Sequence, residues 1–253
     1  MPSIELVNVT VDIPVYNARG RSLKTMVFER AIGGAMQARE RGDIVVIRAL
    51  ENVTASFASG DRIGLIGHNG AGKTTLLRVM SGVYQPTTGA ARIVGQTGTL
   101  TDLMAGMDPE ATGYENIVYR GILLGRSYAE AKAHIPEIEA FSELGAYLDL
   151  PIRTYSSGML LRLAFAITTG VRPPILLMDE MISAGDAGFV EKASQRLHDV
   201  ISSASILVIS SHVQNVIQEF CNRVLWLEHG KVVMDGKPDE VLAAYHGHPG
   251  SNG

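Results

Sequence analysis

Residues 67–74 read Gly67-His68-Asn69-Gly70-Ala71-Gly72-Lys73-Thr74, which fits the pattern G-x-x-x-x-G-K-[ST]. The apolar run 63–67 predicts a short buried strand, and residues 73–81 predict a helix. Glycines here let backbone N–H groups surround a phosphate, and the helix N-terminus adds its dipole. We expect a phosphate-binding loop in which Lys73 reaches the β- and γ-phosphates and the Thr74 hydroxyl binds Mg²⁺. The alternative is a chance glycine turn.

Two adjacent acidic residues end another apolar run, Ile175-Leu176-Leu177-Met178-Asp179-Glu180. This run predicts a buried strand that finishes in two carboxylates. We expect Asp179 to lie on the Mg²⁺ side of a bound nucleotide and Glu180 to act as the general base that polarises an attacking water. The alternative is an acidic strand end that only caps the next helix. Together the two segments predict a nucleoside triphosphatase of the P-loop type.

Short apolar strands alternate with helices along the rest of the chain, which predicts a mainly parallel α/β sheet. Further strands are expected at 4–15, 44–48, 52–57 and 206–210, with a hairpin of 224–228 and 231–234 around His229-Gly230. Helices are expected at 159–170, 189–202 and 238–245, with mostly helix between 118 and 143. We expect residues 247–253 to form a flexible tail.

Composition excludes several classes of protein. The 253 residues are 46% hydrophobic and 19% charged, which is typical of globular proteins. The formal net charge of −4 gives no reason to expect nucleic-acid binding. Cys221 is the only cysteine, which excludes an internal disulfide and favours a reducing compartment. The N-terminus lacks signal-peptide features and no apolar run approaches about 18 residues, so we expect no membrane span in this chain.

A third motif, Tyr155-Ser156-Ser157-Gly158-Met159, opens a predicted helix, and such a turn is a ready anion site. It resembles the LSGGQ signature of ATP-binding-cassette (ABC) ATPases. Ser156 and Gly158 match the signature serine and second glycine, whereas Ser157 and Met159 depart from it. In that family the segment binds the γ-phosphate of ATP held by the opposite subunit. A plain helix cap is the alternative.

Three more segments match this family in order along the chain. Asp186, in Ser183-Ala184-Gly185-Asp186, corresponds to the D-loop aspartate, and His212 to the switch histidine that contacts the γ-phosphate. Tyr16 corresponds to the aromatic residue that stacks on adenine, with an ordinary packing tyrosine as the alternative. One element departs: the Q-loop glutamine is missing before residues 107–116, and Asp102 is the candidate oxygen donor in its place.

The resemblance implies an α/β fold, an ABC-type P-loop nucleoside triphosphatase with a mainly parallel core sheet, an antiparallel β subdomain and a helical subdomain. It implies one nucleotide-binding domain over residues 1–246, with the helical subdomain at about 100–172. The implied ATP-binding residues are Tyr16, Gly67, His68, Asn69, Gly70, Ala71, Gly72, Lys73, Thr74, Thr75, Ser156, Ser157, Gly158 and Asp186. The implied Mg²⁺ ligands are Thr74, Asp179 and Asp102, and the implied catalytic residues are Glu180 and His212.

The motif variants narrow the resemblance to one branch. The YSSGM signature, the AGD form of the D-loop and the DPE-x-TGYEN segment are similar to ATPases that energise export of lipid-linked polysaccharides such as O-antigen, capsule, teichoic acid or galactan. This implies a homodimer docked beneath two copies of a separate polytopic membrane permease, at the cytoplasmic face of the cytoplasmic membrane. The alternatives are another ABC transporter, such as a drug or lipid exporter, and a soluble ABC ATPase without a transport role.

The segment 19–42 is an insertion relative to most cassettes. Its apolar periodicity predicts an amphipathic helix, weakened by Gly33-Gly34, and its ends are basic. We hypothesise that it touches the membrane surface near the channel entrance, and a helix packed on the cassette's own sheet is the alternative. Few residues follow His212 beyond the predicted hairpin and helix, so we expect no appended carbohydrate-binding domain.

Overall fold

The computed structural model describes residues 1–15, 37–41, 44–100, 103–179 and 187–248. These residues form two units. The first contains 1–15, 37–41, 44–97, 175–179 and 205–248, and the second contains 98–100, 103–174 and 187–204. No helix in the described ranges is long and apolar enough to cross a bilayer.

One sheet of the first unit is antiparallel, in the order β2-β3-β1-β5. Its strands are β1 (Ser3–Val15), β2 (Gln37–Arg41), β3 (Ile44–Ala58) and β5 (Thr88–Val94). The strands β1 and β3 pair from Ser3↔Ala58 to Val15↔Val45. Ile4 and Leu6 alternate with exposed residues and enter the core, as expected for a sheet with one buried face.

The second sheet has the order β10-β9-β4-β8-β7-β6. Its strands are β4 (Arg62–Ile66), β6 (Thr97–Thr99), β7 (Ile175–Asp179), β8 (Ile206–Ser210), β9 (Arg223–Glu228) and β10 (Lys231–Gly236). The pairs β4·β8, β4·β9 and β7·β8 are parallel, and β9·β10 is an antiparallel hairpin. Helices α1 (Lys73–Met80), α7 (Gln214–Phe220) and α8 (Pro238–His246) also belong to the first unit. The predicted mainly parallel α/β fold with an antiparallel β part is confirmed.

The core of the first unit is built by apolar strands and the buried face of α1. Its fully buried side chains include Ile63, Leu65, Leu76, Leu77, Met80, Leu177, Val208 and Leu225. Such continuous apolar runs are expected of parallel strands that are covered on both faces. This packing fixes the carboxyl ends of β4, β7 and β8 relative to one another.

Two sequence expectations at the N-terminal end are wrong in part. Residues 37–41 form β2 rather than the end of an amphipathic helix, because they pair with β3 from Gln37↔Arg48 to Arg41↔Ile44. The rest of the predicted helix, residues 19–36 and 42, lies outside the described residues.

The predicted strands 44–48 and 52–57 are a single strand, β3. A register irregularity replaces the expected break: Asn52 has φ 51°, and its N–H donates to Thr10 Oγ1 at 3.1 Å. A bulge of this kind lets a strand continue past a residue that breaks its alternation. Strands β5 and β6 and helix α7 were not predicted, because their sequences lack a clear apolar period.

The second unit contains helices α2 (Gly113–Leu123), α3 (Tyr128–Ala133), α4 (Ile135–Ser142), α5 (Ser157–Thr169) and α6 (Ala187–Ser203). The mostly helical stretch expected at 118–143 is therefore α2 to α4. Thr112 and Ser127 begin α2 and α3 with capping boxes to Glu115 and Glu130. Hydrogen bonds from the backbone and side chain of Thr112 lower the pKa of Glu115.

Asn116 on α2 organises the loop before that helix. Its side chain is fully buried; Nδ2 donates to Asp108 O, Ala111 O and Thr112 O, and Oδ1 accepts from Asp108 N–H at 2.8 Å. Arg120, one turn later, donates to Leu103 O and to Thr168 Oγ1. The loop therefore depends on one amide that satisfies four backbone groups.

Replacing Asn116 with alanine should lower the free energy of unfolding by about 2–4 kcal/mol. The change removes four hydrogen bonds, each with a net contribution of about 0.5–1.5 kcal/mol, and it leaves Asp108 N–H without its side-chain acceptor. Urea titration followed by circular dichroism measures the effect. Asn222→Ala, which removes a more exposed amide with two backbone contacts, is the control and should cost less. Equal stability losses would contradict the argument from burial.

Candidate functional site

Glycines make the loop after β4 possible. Gly67, Gly70 and Gly72 have φ of 144°, 82° and 107°, values that favour glycine. A Cβ atom at Gly67 would collide with Leu227 O, and one at Gly72 would lie 2.8 Å from Ala49 O. The loop backbone is thus pressed against β9 and β3, and its conformation excludes side chains where the motif has glycine.

Helix α1 begins directly after this loop without a side-chain cap. Gly72 is its N-cap residue in a left-handed conformation, and no side chain bonds to the first amides. Uncapped N–H groups and the helix dipole favour an anion at this end. The residues present therefore fit a bound phosphate.

Lys73 places its ammonium group over the loop. Its side chain is 7% exposed, and Nζ donates to Gly67 O at 2.5 Å and to His68 O at 3.1 Å. A buried cation needs such partners because desolvation is costly. The lysine is held next to the loop amides, where a phosphate oxygen would be attracted to both.

Thr74 and Asp179 meet at the carboxyl edge of the sheet. Thr74 Oγ1 donates to Asp179 Oδ2 at 2.5 Å, which joins the first turn of α1 to the end of β7. Two hard oxygen ligands on one side of a phosphate pocket fit Mg²⁺, which takes few protein ligands and completes its shell with phosphate and water. Thr75 follows on the same helix and is half-buried.

His212 comes two residues after β8 and is exposed. Strand β8 lies between β4 and β7, and Ser210 at its end pairs with both Leu65 and Asp179. The Ser211 side chain accepts from Val213 N–H at 3.0 Å and shapes this turn. The structure thus brings the segment of His212 to the edge that carries the glycine loop and Asp179.

The Ser156–Gly158 segment lies in the second unit. Ser156 is the N-cap of α5, and its Oγ accepts from Met159 N–H at 3.2 Å. All three residues are exposed, and a Cβ at Gly158 would meet nothing closer than Ser156 Oγ at 4.0 Å. The segment is an open helix N-terminus with space in front of it.

Comparison with known proteins agrees with this geometry. Residues 50–183 match the family described as ABC transporter. The chain belongs to the ABC transporter family. It is 50% identical to the O-antigen export system ATP-binding protein RfbE of Yersinia enterocolitica, over 92% of this chain and 97% of that protein.

Other members of the ABC family are also similar. The teichoic acids export ATP-binding protein TagH of Lactococcus lactis is 38% identical over 78% of this chain, which spans 42% of that longer protein. The dimeric post-hydrolysis structure of the cassette MJ0796 bound to ADP and Pi superposes with a TM-score of 0.65 at 22% identity, covering 93% of this chain and 98% of that one. The fold is therefore that of an ABC ATPase, an ATP-hydrolysing cassette.

Four predicted site residues of this ABC ATPase lie outside the described residues. They are Tyr16, Asp102, Glu180 and Asp186. Their predicted roles rest on the sequence motifs and on family membership. Of these, Glu180 directly follows Asp179 at the end of β7.

Sequence reasoning missed one support of the ABC phosphate-binding loop, the turn between β9 and β10. Gly230 N–H donates to Ala71 O at 2.9 Å, and Gly230 O accepts from Glu51 N–H at 2.9 Å. The dipeptide His229-Gly230 predicts a hairpin turn, but nothing in its pattern indicates that it packs on the loop. This docking is a long-range contact that only the structure reveals.

Proposed function

We propose that this chain is the ATP-hydrolysing subunit of an exporter that moves a lipid-linked polysaccharide, such as O-antigen or galactan, across the cytoplasmic membrane. The observation that carries the proposal is 50% identity to an O-antigen export ATP-binding protein across nearly the whole length of both chains. The subunit would work as a peripheral protein on the cytoplasmic face of that membrane, beneath a separate permease.

Each described site residue has a role in the proposed ATP site. The amides of 67–72 and the start of α1 bind the phosphates, and Lys73 balances the β- and γ-phosphate charge. Thr74 and Asp179 would hold Mg²⁺. The ion, when bound, neutralises charge on the phosphate oxygens. His212 contacts the γ-phosphate oxygens from the end of β8.

The roles of the site residues outside the described ranges are proposed from the sequence motifs. Tyr16 stacks on adenine, and Asp102 offers an oxygen ligand where the family has glutamine. Asp186 belongs to the D-loop. Glu180 accepts a proton from the attacking water while Lys73 and the loop amides stabilise charge on the leaving phosphate.

The ATP site is completed by a second copy of the chain. The exposed start of α5 at Ser156–Gly158 supports a head-to-tail homodimer, since its free amides suit a γ-phosphate that another subunit holds. ATP binds between the two copies and holds them together. Hydrolysis removes that link, and the difference in ATP affinity between closed and open dimers drives the movement of the permease.

An apolar patch on α2 supports a membrane partner. Tyr119, Ile122 and Leu123 follow the i, i+3, i+4 spacing of one helix face, and Leu123 is 68% exposed. Tyr128 at the start of α3 is also exposed. Contiguous exposed apolar surface is uncommon on monomers and marks interaction sites. We assign this patch to the contact with the permease.

Replacing Leu123 with glutamate should lower copurification with the permease by about tenfold or more, because a charge in an apolar contact centre must be desolvated. ATPase activity of the isolated subunit should stay near that of the parent. Affinity purification from detergent-solubilised membranes measures copurification with the permease, and phosphate release measures ATPase activity. Val83→Glu, at a similarly exposed valine of the first unit, is the control. Copurification that survives Leu123→Glu would move the contact elsewhere.

Deletion of the gene in its own cell tests the transport role. The polysaccharide should then accumulate on its lipid carrier inside the cell and disappear from the surface, and the Lys73→Met variant should fail to restore it. Surface glycan detected by lectin or antibody, with lipid-linked glycan in membrane extracts, provides the readout. Unchanged surface polysaccharide, with loss of drug or lipid efflux instead, would contradict polysaccharide export.

A further inference from the structure

Three residues able to ligate a metal ion converge beside the phosphate-binding loop: His68, Glu228 and His229. One ligand atom of each lies within 4.8 Å of those of the other two. The two imidazole rings are 5.0 Å apart between centroids, with their planes at 55°. His68 and Glu228 are half-buried, and His229 is exposed. The cluster is therefore both compact and open to solvent on one side.

Local backbone geometry explains how two consecutive residues contribute to one cluster. In a regular strand, neighbouring side chains point to opposite faces. Glu228 ends β9, and His229 has φ 49°, a left-handed conformation that breaks this alternation. The next residue, Gly230, is tied to the phosphate-binding loop by its hydrogen bond to Ala71 O. The turn is thus fixed against the loop that carries His68.

The hydrogen bonding of His68 prepares one ring nitrogen for a ligand. Nδ1 lies 2.8 Å from Asn69 O. A carbonyl oxygen only accepts, so Nδ1 carries the proton and Nε2 keeps a lone pair. Nε2 is buried and has no hydrogen-bond partner among the described residues. Histidines that ligate metals commonly donate their other ring N–H to a backbone carbonyl in this way.

We propose that His68, Glu228 and His229 bind one divalent transition-metal ion of the zinc class. Two imidazoles and one carboxylate suit Zn²⁺, Co²⁺ or Ni²⁺, whereas Mg²⁺ and Ca²⁺ prefer oxygen ligands alone. The ion satisfies the buried Nε2 of His68 and links the phosphate-binding loop to the turn between β9 and β10. This site is separate from the Thr74–Asp179 oxygen pair and goes beyond the proposed export function.

One further histidine lies next to the carboxylate of the cluster. His248 Nδ1 is 3.9 Å from Glu228 Oε1, and its ring packs against Trp226 at 5.1 Å between centroids. His248 is therefore a neighbour of the proposed ligand Glu228 and is not itself one of the three proposed ligands.

Calorimetric titration of Zn²⁺ into the tag-free, EDTA-treated full chain tests the proposal. Nucleotide is omitted and Mg²⁺ is in excess, which saturates oxygen-only sites. We expect one Zn²⁺ per chain, and Co²⁺ should give the visible absorption of a low-coordinate site. His229→Ala and Glu228→Gln should each weaken Zn²⁺ binding by about tenfold or more, since even loss of a supporting group has that effect.

The half-buried His134, on the second unit, provides the matched control. His134→Ala should bind Zn²⁺ like the parent. The proposal is overturned if the parent shows no saturable Zn²⁺ binding, or if neither His229→Ala nor Glu228→Gln weakens it. Where a variant fails a thermal-melt check of folding, X-ray absorption of the zinc-loaded parent decides the matter. A spectrum that shows two imidazole ligands on the zinc supports the site, and a spectrum without them refutes the proposal.

Discussion

Lys73→Met should hydrolyse ATP at least about 100-fold more slowly than the parent, the size expected when one preorganised donor to a reacting group is lost. Methionine has a similar length and no charge, so the variant keeps the packing of α1 but loses the cation that Nζ brings over the loop. In the structure that cation contacts Gly67 O and His68 O, at the centre of the phosphate-binding loop. Phosphate release at saturating ATP is the measurement.

The stability of the same variant separates a chemical effect from a structural one. Lys73 is nearly buried, so an apolar side chain of similar size should fit, and the melting temperature should not fall greatly. Arg78→Met, on an exposed position of the same helix, is the control and should retain activity close to that of the parent. Activity above about a tenth of the parental value in Lys73→Met would remove the lysine from the phosphate site.

Local pattern was enough to predict the central features of the site. The glycine loop has positive φ at Gly67, Gly70 and Gly72. Because positive φ favours glycine, the glycines in the sequence already indicate this conformation. The apolar run before Asp179 gives a buried strand whose carboxyl end must share an edge with the loop, because parallel strands point the same way. The Thr74–Asp179 contact follows from these two local facts and a general rule of topology.

Features that depend on which segments pair or pack together were not predictable from local pattern. The segment 37–41 is predicted only as the end of the helix at 19–42, whose apolar spacing stops at Met36, yet it pairs with β3 as an edge strand. Intrinsic preference is weak there, and the unpaired edge of β3 outweighs it. The contact of Gly230 with Ala71 also cannot be predicted from local pattern, since the two residues are far apart in sequence. The cluster of His68 with Glu228 and His229 follows from that contact and was therefore also missed.

Glu180→Gln should bind ATP normally and hydrolyse it about 10²–10⁴-fold more slowly, the contribution typical of a general base. The amide has the shape of the carboxylate but accepts no proton from water. Asp179→Asn makes a useful contrast because Asp179 bonds to Thr74 on the proposed Mg²⁺ side, so its loss should weaken Mg²⁺-dependent ATP binding as well as turnover. Equilibrium binding of a fluorescent ATP analogue and single-turnover hydrolysis distinguish the two variants.

The slow variant also tests the head-to-tail dimer. With ATP and Mg²⁺ bound but not hydrolysed, Glu180→Gln should elute as a dimer in size-exclusion chromatography, and without ATP as a monomer. Adding Ser156→Arg should restore the monomer in the presence of ATP, because a bulky side chain would fill the open space in front of α5. ATP bound by one copy would then lose its contact with the signature segment of the other. A double variant that still dimerises with ATP would place the dimer contact away from Ser156, and a Glu180→Gln protein with full activity would assign the general base to another residue.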